Sequence, residues 1–187
     1  MTSREALKII FSGIKNEPAV LATGYICRAA QAAGDRPQNF YMMGSMGLAS
    51  SIGLGVALSQ PKTKTLIVDG DGAVLMNLGT LPVVGALKPS NLIHIVIDNG
   101  GYESTGSQPS YTQAIALEKI AAASGYRYAR RVSTASALRL ETQKILSAAR
   151  GPAFLVVKTK NDSGNPPARI KASPEEITDR FSKSLSR

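Results

Sequence analysis

The architecture of the chain rests on Thr65-Leu66-Ile67-Val68-Asp69-Gly70-Asp71-Gly72-Ala73-Val74-Leu75-Met76-Asn77, followed by Ile93-His94-Ile95-Val96-Ile97-Asp98-Asn99-Gly100-Gly101-Tyr102. Each segment begins with an apolar run rich in β-branched residues and ends in a polar break that contains glycine, a pattern typical of a buried strand followed by a turn. Asp71 and Asn99 lie 28 positions apart, which leaves room for one helix and its connections. The two segments therefore predict a βαβ unit with parallel strands, whose polar ends meet at one edge of the sheet.

The polar residues at this edge have the chemistry of a magnesium site. Open α/β sheets bind ligands at the carboxyl ends of their strands. Magnesium takes hard oxygen ligands in an octahedron and shares them between one or two protein groups, water and phosphate oxygens. Asp71 offers a carboxylate, Asn99 an amide oxygen and Gly101 a backbone carbonyl. The sequence thus predicts a magnesium ion that carries a diphosphate.

The glycines around Asp71 fit the same chemistry. Gly70 and Gly72 let the backbone approach a diphosphate, and a helix that starts near Ala73 points its free N–H groups at it. The alternative is an ordinary strand-to-helix turn, in which the glycines only supply backbone angles; the spaced Asn-Gly-Gly-Tyr after a second strand favours the ligand site. The dinucleotide fingerprint is excluded, because Leu75 stands where its third glycine should be.

The ends of these two strands, together with segments on either side, resemble a known family. Gly70-Asp71-Gly72, followed by a helix, a strand and Asp98-Asn99, is similar to the cofactor motif of the thiamine diphosphate-dependent enzymes. That motif usually ends in two asparagines, so Asp98 is a departure, whereas Asn99 keeps the position of the metal-binding amide. Residues 39–51 and 101–109 are similar to segments of the sulfopyruvate decarboxylase β subunits, and also to the matching half of the phosphonopyruvate decarboxylases.

The resemblance implies the fold, the cofactors and the site residues. The fold is α/β, a single doubly wound parallel sheet with helices on both faces, and the cofactors are thiamine diphosphate and Mg²⁺. Met46 falls where members of the family place a large apolar side chain under the bent cofactor, which makes it the catalytic residue in this interpretation. Gly44 and Ser45 would contact the pyrimidine or diphosphate side, and Gly24 lies in a turn near the diphosphate. The implied cofactor-binding residues are Gly24, Gly44, Ser45, Met46, Gly70, Asp71, Gly72, Ala73, Asn99, Gly101 and Tyr102, of which Asp71, Asn99 and Gly101 are the metal ligands.

The resemblance also implies a partner. In the family a glutamate hydrogen-bonds the pyrimidine nitrogen of the cofactor, and it comes from a separate pyrimidine-binding domain. Glu103 is the one glutamate of this sequence near the site, and it follows the metal loop on the diphosphate side. The chain is therefore expected to be half of an active site, completed by a pyrimidine-binding α subunit that supplies the activating glutamate.

The expected activity is decarboxylation of a small anionic 2-oxoacid. The resemblance favours sulfopyruvate, with phosphonopyruvate as an alternative within the enzyme class. A third possibility is a non-catalytic phosphate- or nucleotide-binding module, in which Gly-Asp-Gly is only a turn. Residues 102–111 form a polar loop without periodicity, and its small donors exclude branched or aromatic oxoacids. The donors that could hydrogen-bond an anion, or equally belong to a solvated loop, are Ser104, Thr105, Ser107 and Gln108.

Composition bounds the class of protein. The 187 residues fit one domain, 1–187, whose last part, 161–187, is a linker and a C-terminal helix. Hydrophobic residues make up 43% and aromatic residues 5%, which suits a parallel sheet with an aliphatic core. The single cysteine, Cys27, is expected in the core and fits a cytoplasmic location. The uncharged run 42–58 is too short and too rich in serine and glycine for a membrane span, so it predicts a buried helix of small residues.

The net charge of +9 raises the question of a nucleic-acid partner. Residues 118–160 hold nine Lys or Arg against two acids, spread along helices and strands without aromatic interleaving. A solvated face is the default interpretation, and a subunit contact or attraction of an anionic substrate and cofactor is the functional alternative. The sequence therefore predicts neither a nucleic-acid partner nor a membrane partner.

The remaining patterns predict the other elements. The tetrapeptide Gly44-Ser45-Met46-Gly47 is expected to begin the small-residue helix, and Pro82 is expected to kink or divide a helix over residues 74–87. His94 is expected to be a core residue in the middle of its strand. Ser173-Pro174-Glu175-Glu176 has the pattern of a capping box. The further predicted strands lie at 19–23, 126–132 and 154–158, and the further predicted helices at 3–16, 24–33, 112–124, 134–149 and 174–184.

Overall fold

Six parallel strands form the central sheet of the molecule. They are β1 (Ala19–Leu21), β2 (Asn39–Tyr41), β3 (Thr65–Gly70), β4 (Leu92–Asp98), β7 (Tyr128–Val132) and β8 (Ala153–Lys158), and a separate hairpin consists of β5 (Gly101–Tyr102) and β6 (Gln108–Pro109). The order across the sheet is β2-β1-β3-β4-β8-β7. The structure, a computed structural model, describes residues 1–147, 150–162 and 165–186. The predicted βαβ unit is confirmed, since β3 and β4 are neighbouring parallel strands.

Helices cover both faces of this sheet. They are α1 (Ser3–Gly13), α2 (Tyr25–Ala33), α3 (Ala49–Ser59), α4 (Asp71–Met76), α5 (Thr80–Leu87), α6 (Leu117–Ala123), α7 (Ala135–Ser147) and α8 (Pro174–Leu185). Strand side chains alternate between the faces, so Leu66 and Val68 pack with α1, α2 and α7, whereas Ile67 packs with α3, α5 and α6. The doubly wound parallel fold that the sequence predicts is confirmed.

The helix after β3 is divided, but not at its proline. α4 ends at Met76 and α5 begins at Thr80, so the division falls at 77–79. Pro82 is the third residue of α5, where a backbone N–H would have no intrahelical acceptor, and the proline is therefore tolerated there. The helix also begins at Asp71 rather than near Ala73. The predicted division is confirmed, and its predicted cause is wrong.

The tetrapeptide before α3 does not begin the helix. The φ angles of Ser45 and Gly47 are +52° and +92°, both in the left-handed region that a right-handed helix excludes. The backbone N–H of Leu48 donates to Ser45 O at 3.1 Å and closes a turn, and α3 begins only at Ala49. The predicted small-residue helix is otherwise present, with six of its eleven residues buried and one side exposed.

Several helices and strands have bounds that differ from the predicted ones, and two predicted segments include residues that lie outside the described ranges. α6 begins at Leu117 rather than at residue 112, and Thr112, which is fully buried, uses its hydroxyl in a side-chain network described below. Helix 134–149 is described as far as Ser147, and residues 148–149 lie outside the described residues, as do residues 163–164 of the predicted linker. The capping box is confirmed, since Ser173 and Glu176 exchange both bonds at the start of α8.

His94 and Cys27, two residue types that are common in catalytic sites, both lie in the core. His94 has no exposed surface, and Cys27 is 4% exposed, as expected of core residues. Burial raises the pKa of the Cys27 thiol, which disfavours the nucleophilic thiolate. The cytoplasmic location stays a prediction. Within the described ranges, no helix combines the length and the apolarity that crossing a bilayer requires.

Two glycines of α3 give a matched test of this packing. A Cβ on Gly53 would overlap the buried side chain of Ile67 in β3, whereas a Cβ on Gly55 would meet nothing. Gly53→Ala should therefore destabilise the chain by about 1–3 kcal/mol through overpacking. Gly55→Ala should stabilise it by up to about 1 kcal/mol, because alanine favours helix more than glycine does. Urea unfolding followed by circular dichroism measures both, and equal shifts would contradict the packing described.

Candidate functional site

A cleft opens at the carboxyl ends of β1, β3 and β4, where an open α/β sheet binds ligands. Its cavity volume is about 90 Å³, and the rest of the cleft is open to solvent. Of the residues predicted to bind cofactor, those that line it are Met46, Gly70, Asp71, Gly72, Ala73, Asn99, Gly101 and Tyr102. The predicted residues that do not line it are Gly24, Gly44 and Ser45. The structure thus brings the three predicted metal ligands to one cavity, together with the predicted Met46.

The Asp71 carboxylate is the centre of a hydrogen-bond network. It is 3% exposed. Its Oδ2 accepts bonds from Gly100 N at 3.1 Å, from Thr112 Oγ1 at 3.1 Å and from Ser110 Oγ. All three of these bonds from the loop after β4 end on the same oxygen, so the network holds the carboxylate in one orientation towards the cleft.

The environment shifts the protonation equilibrium of this carboxylate. Burial raises the pKa of Asp71 above its ordinary value, the hydrogen bond from Ser110 lowers it, and the negative charge of Asp98 raises it again. The direction of the balance is upward, so ionisation of Asp71 is less favourable than that of an exposed aspartate. A bound cation would act in the opposite direction by stabilising the carboxylate charge.

Asn99 is held with its amide oxygen in a fixed position. Its Nδ2 donates to Glu103 Oε2 at 3.1 Å, and its Oδ1 accepts from Gly101 N at 3.2 Å. Glu103 also accepts from Asp162 N through Oε1 at 3.1 Å, which ties the loop to the segment after β8. The direction of the Asn99 amide is therefore set from both of its ends.

The glycine after Asp71 is required by a close approach. A Cβ on Gly72 would overlap the ring of Tyr102, which covers this part of the first turn of α4. A Cβ on Gly70 would stand 3.1 Å from Ile26 Cδ1 on the other side. Both glycines thus let side chains from two other elements close over the strand-to-helix turn.

Met46 stands on the turn that precedes α3. Its side chain is half-buried and lines the cleft. The turn is anchored to the end of α4, because Asn77 Nδ2 donates to Gly47 O at 3.0 Å. Gly44 and Ser45 are exposed, away from the cleft lining. Gly24 has φ +94° and lies against Ser104, which does line the cleft, so the first strand-to-helix turn reaches the rim of the cavity.

The polar loop contributes only part of its predicted donors. Ser104 and Thr105 line the cleft, and Ser107 and Gln108 do not. Gln108 is engaged with Thr105, since its Nε2 donates to Thr105 O at 3.0 Å and its Oε1 accepts from Thr105 Oγ1 at 3.1 Å. The loop is also more ordered than the sequence indicates, because it contains the β5–β6 hairpin and a 3₁₀ turn at Glu103–Thr105.

The sequence pattern did not identify three residues that support the two buried aspartates of the site, namely Ser110, Thr112 and Lys158. Thr112 Oγ1 also lies 2.8 Å from Asp98 Oδ1, so one hydroxyl bridges two buried carboxylates. Lys158 Nζ lies 2.9 Å from Asp98 Oδ2, and the Asp98 side chain is 1% exposed. Lys158 faces Asp98 across the β4–β8 register. The sequence does contain a signal for the Asp98–Lys158 pair, because two apolar strands end in opposite charges. No sequence pattern identifies Ser110 or Thr112 as part of the site.

The chain is similar over most of its length to known proteins. Residues 22–157 match the family described as "Thiamine pyrophosphate enzyme, C-terminal TPP binding domain". The chain is 38% identical over 184 residues to sulfopyruvate decarboxylase subunit beta of Methanothermobacter thermautotrophicus, covering 97% of the chain and 94% of that protein. It is 40% identical over 177 residues to phosphonopyruvate decarboxylase of Streptomyces viridochromogenes, covering 94% of the chain and 44% of that protein. The chain therefore spans less than half of the second relative.

A solved structure agrees with the fold. The thiamine diphosphate-dependent 4-hydroxybenzoylformate decarboxylase from Rhodococcus jostii superposes with a TM-score of 0.71 at 17% identity, covering 88% of this chain and 33% of that one. At this identity the likeness shows the fold alone.

The Asp98–Lys158 pair can be tested by a double-mutant cycle. Lys158→Met leaves a buried carboxylate beside Asp71 without its cation, and should destabilise the chain by about 2 kcal/mol in urea unfolding. Asp98→Asn in the Lys158→Met background removes that charge and should recover most of the loss. The matched control is Lys183→Met, which breaks an exposed pair with Asp179 and should change stability by less than about 0.5 kcal/mol. Additive single effects would show that the two side chains do not depend on each other.

Proposed function

Because the chain belongs to the thiamine pyrophosphate enzyme family and carries its C-terminal TPP binding domain, we propose that it is the diphosphate-binding subunit of a heteromeric decarboxylase of sulfopyruvate. The observation that carries the proposal is the gathering of Asp71, Asn99 and Gly101 around one cleft at the strand ends. In the proposed reaction, sulfopyruvate gives sulfoacetaldehyde and CO₂.

The donor set of the cleft fits a magnesium ion that carries a diphosphate. The proposed ligands are an Asp71 carboxylate oxygen, the Asn99 amide oxygen and the Gly101 carbonyl, all of them hard oxygens. The loop bonds to Asp71 end on Oδ2, and Asn99 Oδ1 carries one hydrogen bond and has a second lone pair. In the described part of the chain, no three His, Cys, Asp or Glu side chains gather as a metal cluster, and the proposed set uses one carboxylate only.

The proposed role of the other cleft residues is to place the cofactor. Thiamine diphosphate, when bound, supplies the electron sink for decarboxylation. Gly70, Gly72 and Ala73 offer backbone at the start of α4 to the diphosphate. Met46 offers an apolar surface to the cleft, as the family resemblance implies for the residue beneath the bent cofactor. The half-buried position of Met46 supports this role.

The cleft supports the proposal that a partner supplies the activating glutamate. Glu103 is the glutamate that lines the cleft among the described residues. Its two carboxylate oxygens are engaged by Asn99 Nδ2 and by Asp162 N, which leaves it to orient a proposed metal ligand rather than to meet the pyrimidine ring. We therefore assign the activating glutamate to a pyrimidine-binding α subunit, with the cofactor between the two chains.

An exposed apolar surface next to the cleft supports this assembly. Residues 37–61 and 72–87 contain no charged side chain, although the chain has 35 Lys, Arg, Asp and Glu residues. α3 and α5 lie side by side, since Ser51 Oγ is 3.2 Å from Thr80 Oγ1. The large apolar side chains exposed in these segments are Met43, Leu48, Leu58, Met76, Val83 and Leu87. Uncharged surfaces of this kind are typical of contacts between subunits. Leu48 and Met76 of this set lie beside the turn from which Met46 lines the cleft.

The choice of substrate rests on similarity rather than on the cleft. Sulfopyruvate follows the relative of which the chain covers 94%, a subunit beta. Phosphonopyruvate stays the second candidate, because that relative is 40% identical over the shared region. Small polar residues such as Ser104 and Thr105 suit a compact anionic acid better than a branched or aromatic one.

The metal assignment predicts a selective loss of cofactor binding. Asp71→Ala should weaken Mg²⁺-dependent binding of thiamine diphosphate by about 100-fold or more, because a charged ligand is lost, and Asn99→Ala should weaken it by about tenfold or more. Titration calorimetry with and without Mg²⁺ measures the affinity, and circular dichroism checks the fold. Asp179→Ala, at an exposed position of α8, is the control. Unchanged affinity in the Asp71 variant would leave the non-catalytic module as the better interpretation.

The partner assignment predicts that activity needs two chains. The chain alone should decarboxylate no 2-oxoacid, and activity should appear on mixing with the α subunit from the same source. Val83→Lys with Leu87→Lys should weaken that association by at least about tenfold, because two charges would be buried in an apolar contact. Leu140→Lys, at an exposed site of α7, is the control. Decarboxylation by the chain alone would falsify the half-site argument.

A further inference from the structure

The cleft is acidic, although the chain is basic. The carboxylates that line it are Asp71, Glu103 and Asp162, and within the described ranges no Lys or Arg side chain lines it. A diphosphate and an anionic substrate would both enter this cavity under the proposed function. Magnesium offsets the diphosphate charge, but the second anion of a sulfonate- or phosphonate-bearing acid still needs a cation.

A second pocket that adjoins the cleft contains two such cations. It has a cavity volume of about 140 Å³ and shares Thr23 with the cleft. Gly24 also lies between the two cavities, since it lines the second pocket and packs against Ser104 of the cleft. Arg28 of α2 and Arg169 of the segment before α8 line this pocket, beside Met42 and Ile170.

Among the described residues, neither Arg28 nor Arg169 has a carboxylate within ion-pair distance, whereas Arg180 pairs with Asp35 and Arg131 with Glu118. Arg28 lies over the ring of Tyr25 at 5.4 Å, and this tyrosine lines the cleft. Arg28 is thus supported from the cleft side while its donors stay available to a ligand.

We propose that Arg28 and Arg169 bind the second anionic group of the substrate, a tetrahedral sulfonate or phosphonate. This inference rests on the proposed function, because it assumes that a dianionic 2-oxoacid enters the cleft. Planar guanidinium groups match the spacing of two oxygens on a tetrahedral anion. A monoanionic acid such as pyruvate has no group for this pocket.

The test compares substrates with and without that group. Arg28→Gln and Arg169→Gln are each reconstituted with the α subunit and assayed with sulfopyruvate, phosphonopyruvate and pyruvate. Each variant should lower kcat/KM for the preferred dianionic acid by at least about tenfold, mainly through KM, and leave that for pyruvate within about twofold. Arg139→Gln, on an exposed position of α7, should change none of these values. The ratio between the sulfonate and the phosphonate acid in the unaltered complex identifies which anion the pocket receives.

A binding experiment separates this inference from the proposed function. Sulfoacetate carries a carboxylate and a sulfonate and needs no turnover, so its affinity for the full chain is measured by titration calorimetry. Binding that is lost in Arg28→Gln supports the anion pocket even where no acid is decarboxylated, an outcome that overturns only the proposed function. Equal losses for pyruvate and the dianionic acids, unchanged kinetics in both variants, or failure of either variant to assemble with the α subunit would overturn the pocket.

Discussion

One buried carboxylate holds the working edge of this molecule together. Asp71 Oδ2 receives hydrogen bonds from Gly100, Ser110 and Thr112, so the end of β3 is joined to both ends of the loop that follows β4. That loop carries Asn99, and its return segment fixes where α6 can begin. The edge of the sheet is therefore shaped by the residue that we also propose as the metal ligand, and one side chain serves both the fold and the site.

The sequence predicted the parts of the structure that depend on local pattern. Apolar runs such as 65–70 predict strands, glycine marks their ends, and a capping box predicts the start of α8, because each signal acts over a few residues. The turn at Ser45 was missed because a left-handed serine has no sequence signature, and the contacts that hold this turn against α4 are made by Gly47. Thr112 was missed for a related reason, since only the folded chain brings its hydroxyl to two carboxylates from different elements, Asp71 of α4 and Asp98 of β4.

The departure from the family motif at Asp98 is compensated within the same fold. An aspartate there places a second buried negative charge near Asp71, and Lys158 at the end of the neighbouring strand balances it. The Asp98–Lys158 pair shows that the effect of a changed residue in the motif depends on the neighbouring strand as well as on its own. Substitution of an amide by an acid is tolerated where an adjacent strand supplies a cation, and the supplier lies 60 positions further along the chain.

The distribution of charge also protects the two edges of the sheet. The β2 edge is only three residues long and is contacted by α8, which Arg180 fastens to Asp35. The opposite edge, β7, presents the exposed Arg130 and Arg131, of which Arg131 also pairs with Glu118. Consecutive cations on an edge strand oppose pairing with the edge of another molecule. Part of the positive charge of this chain thus acts as a safeguard against sheet-to-sheet aggregation.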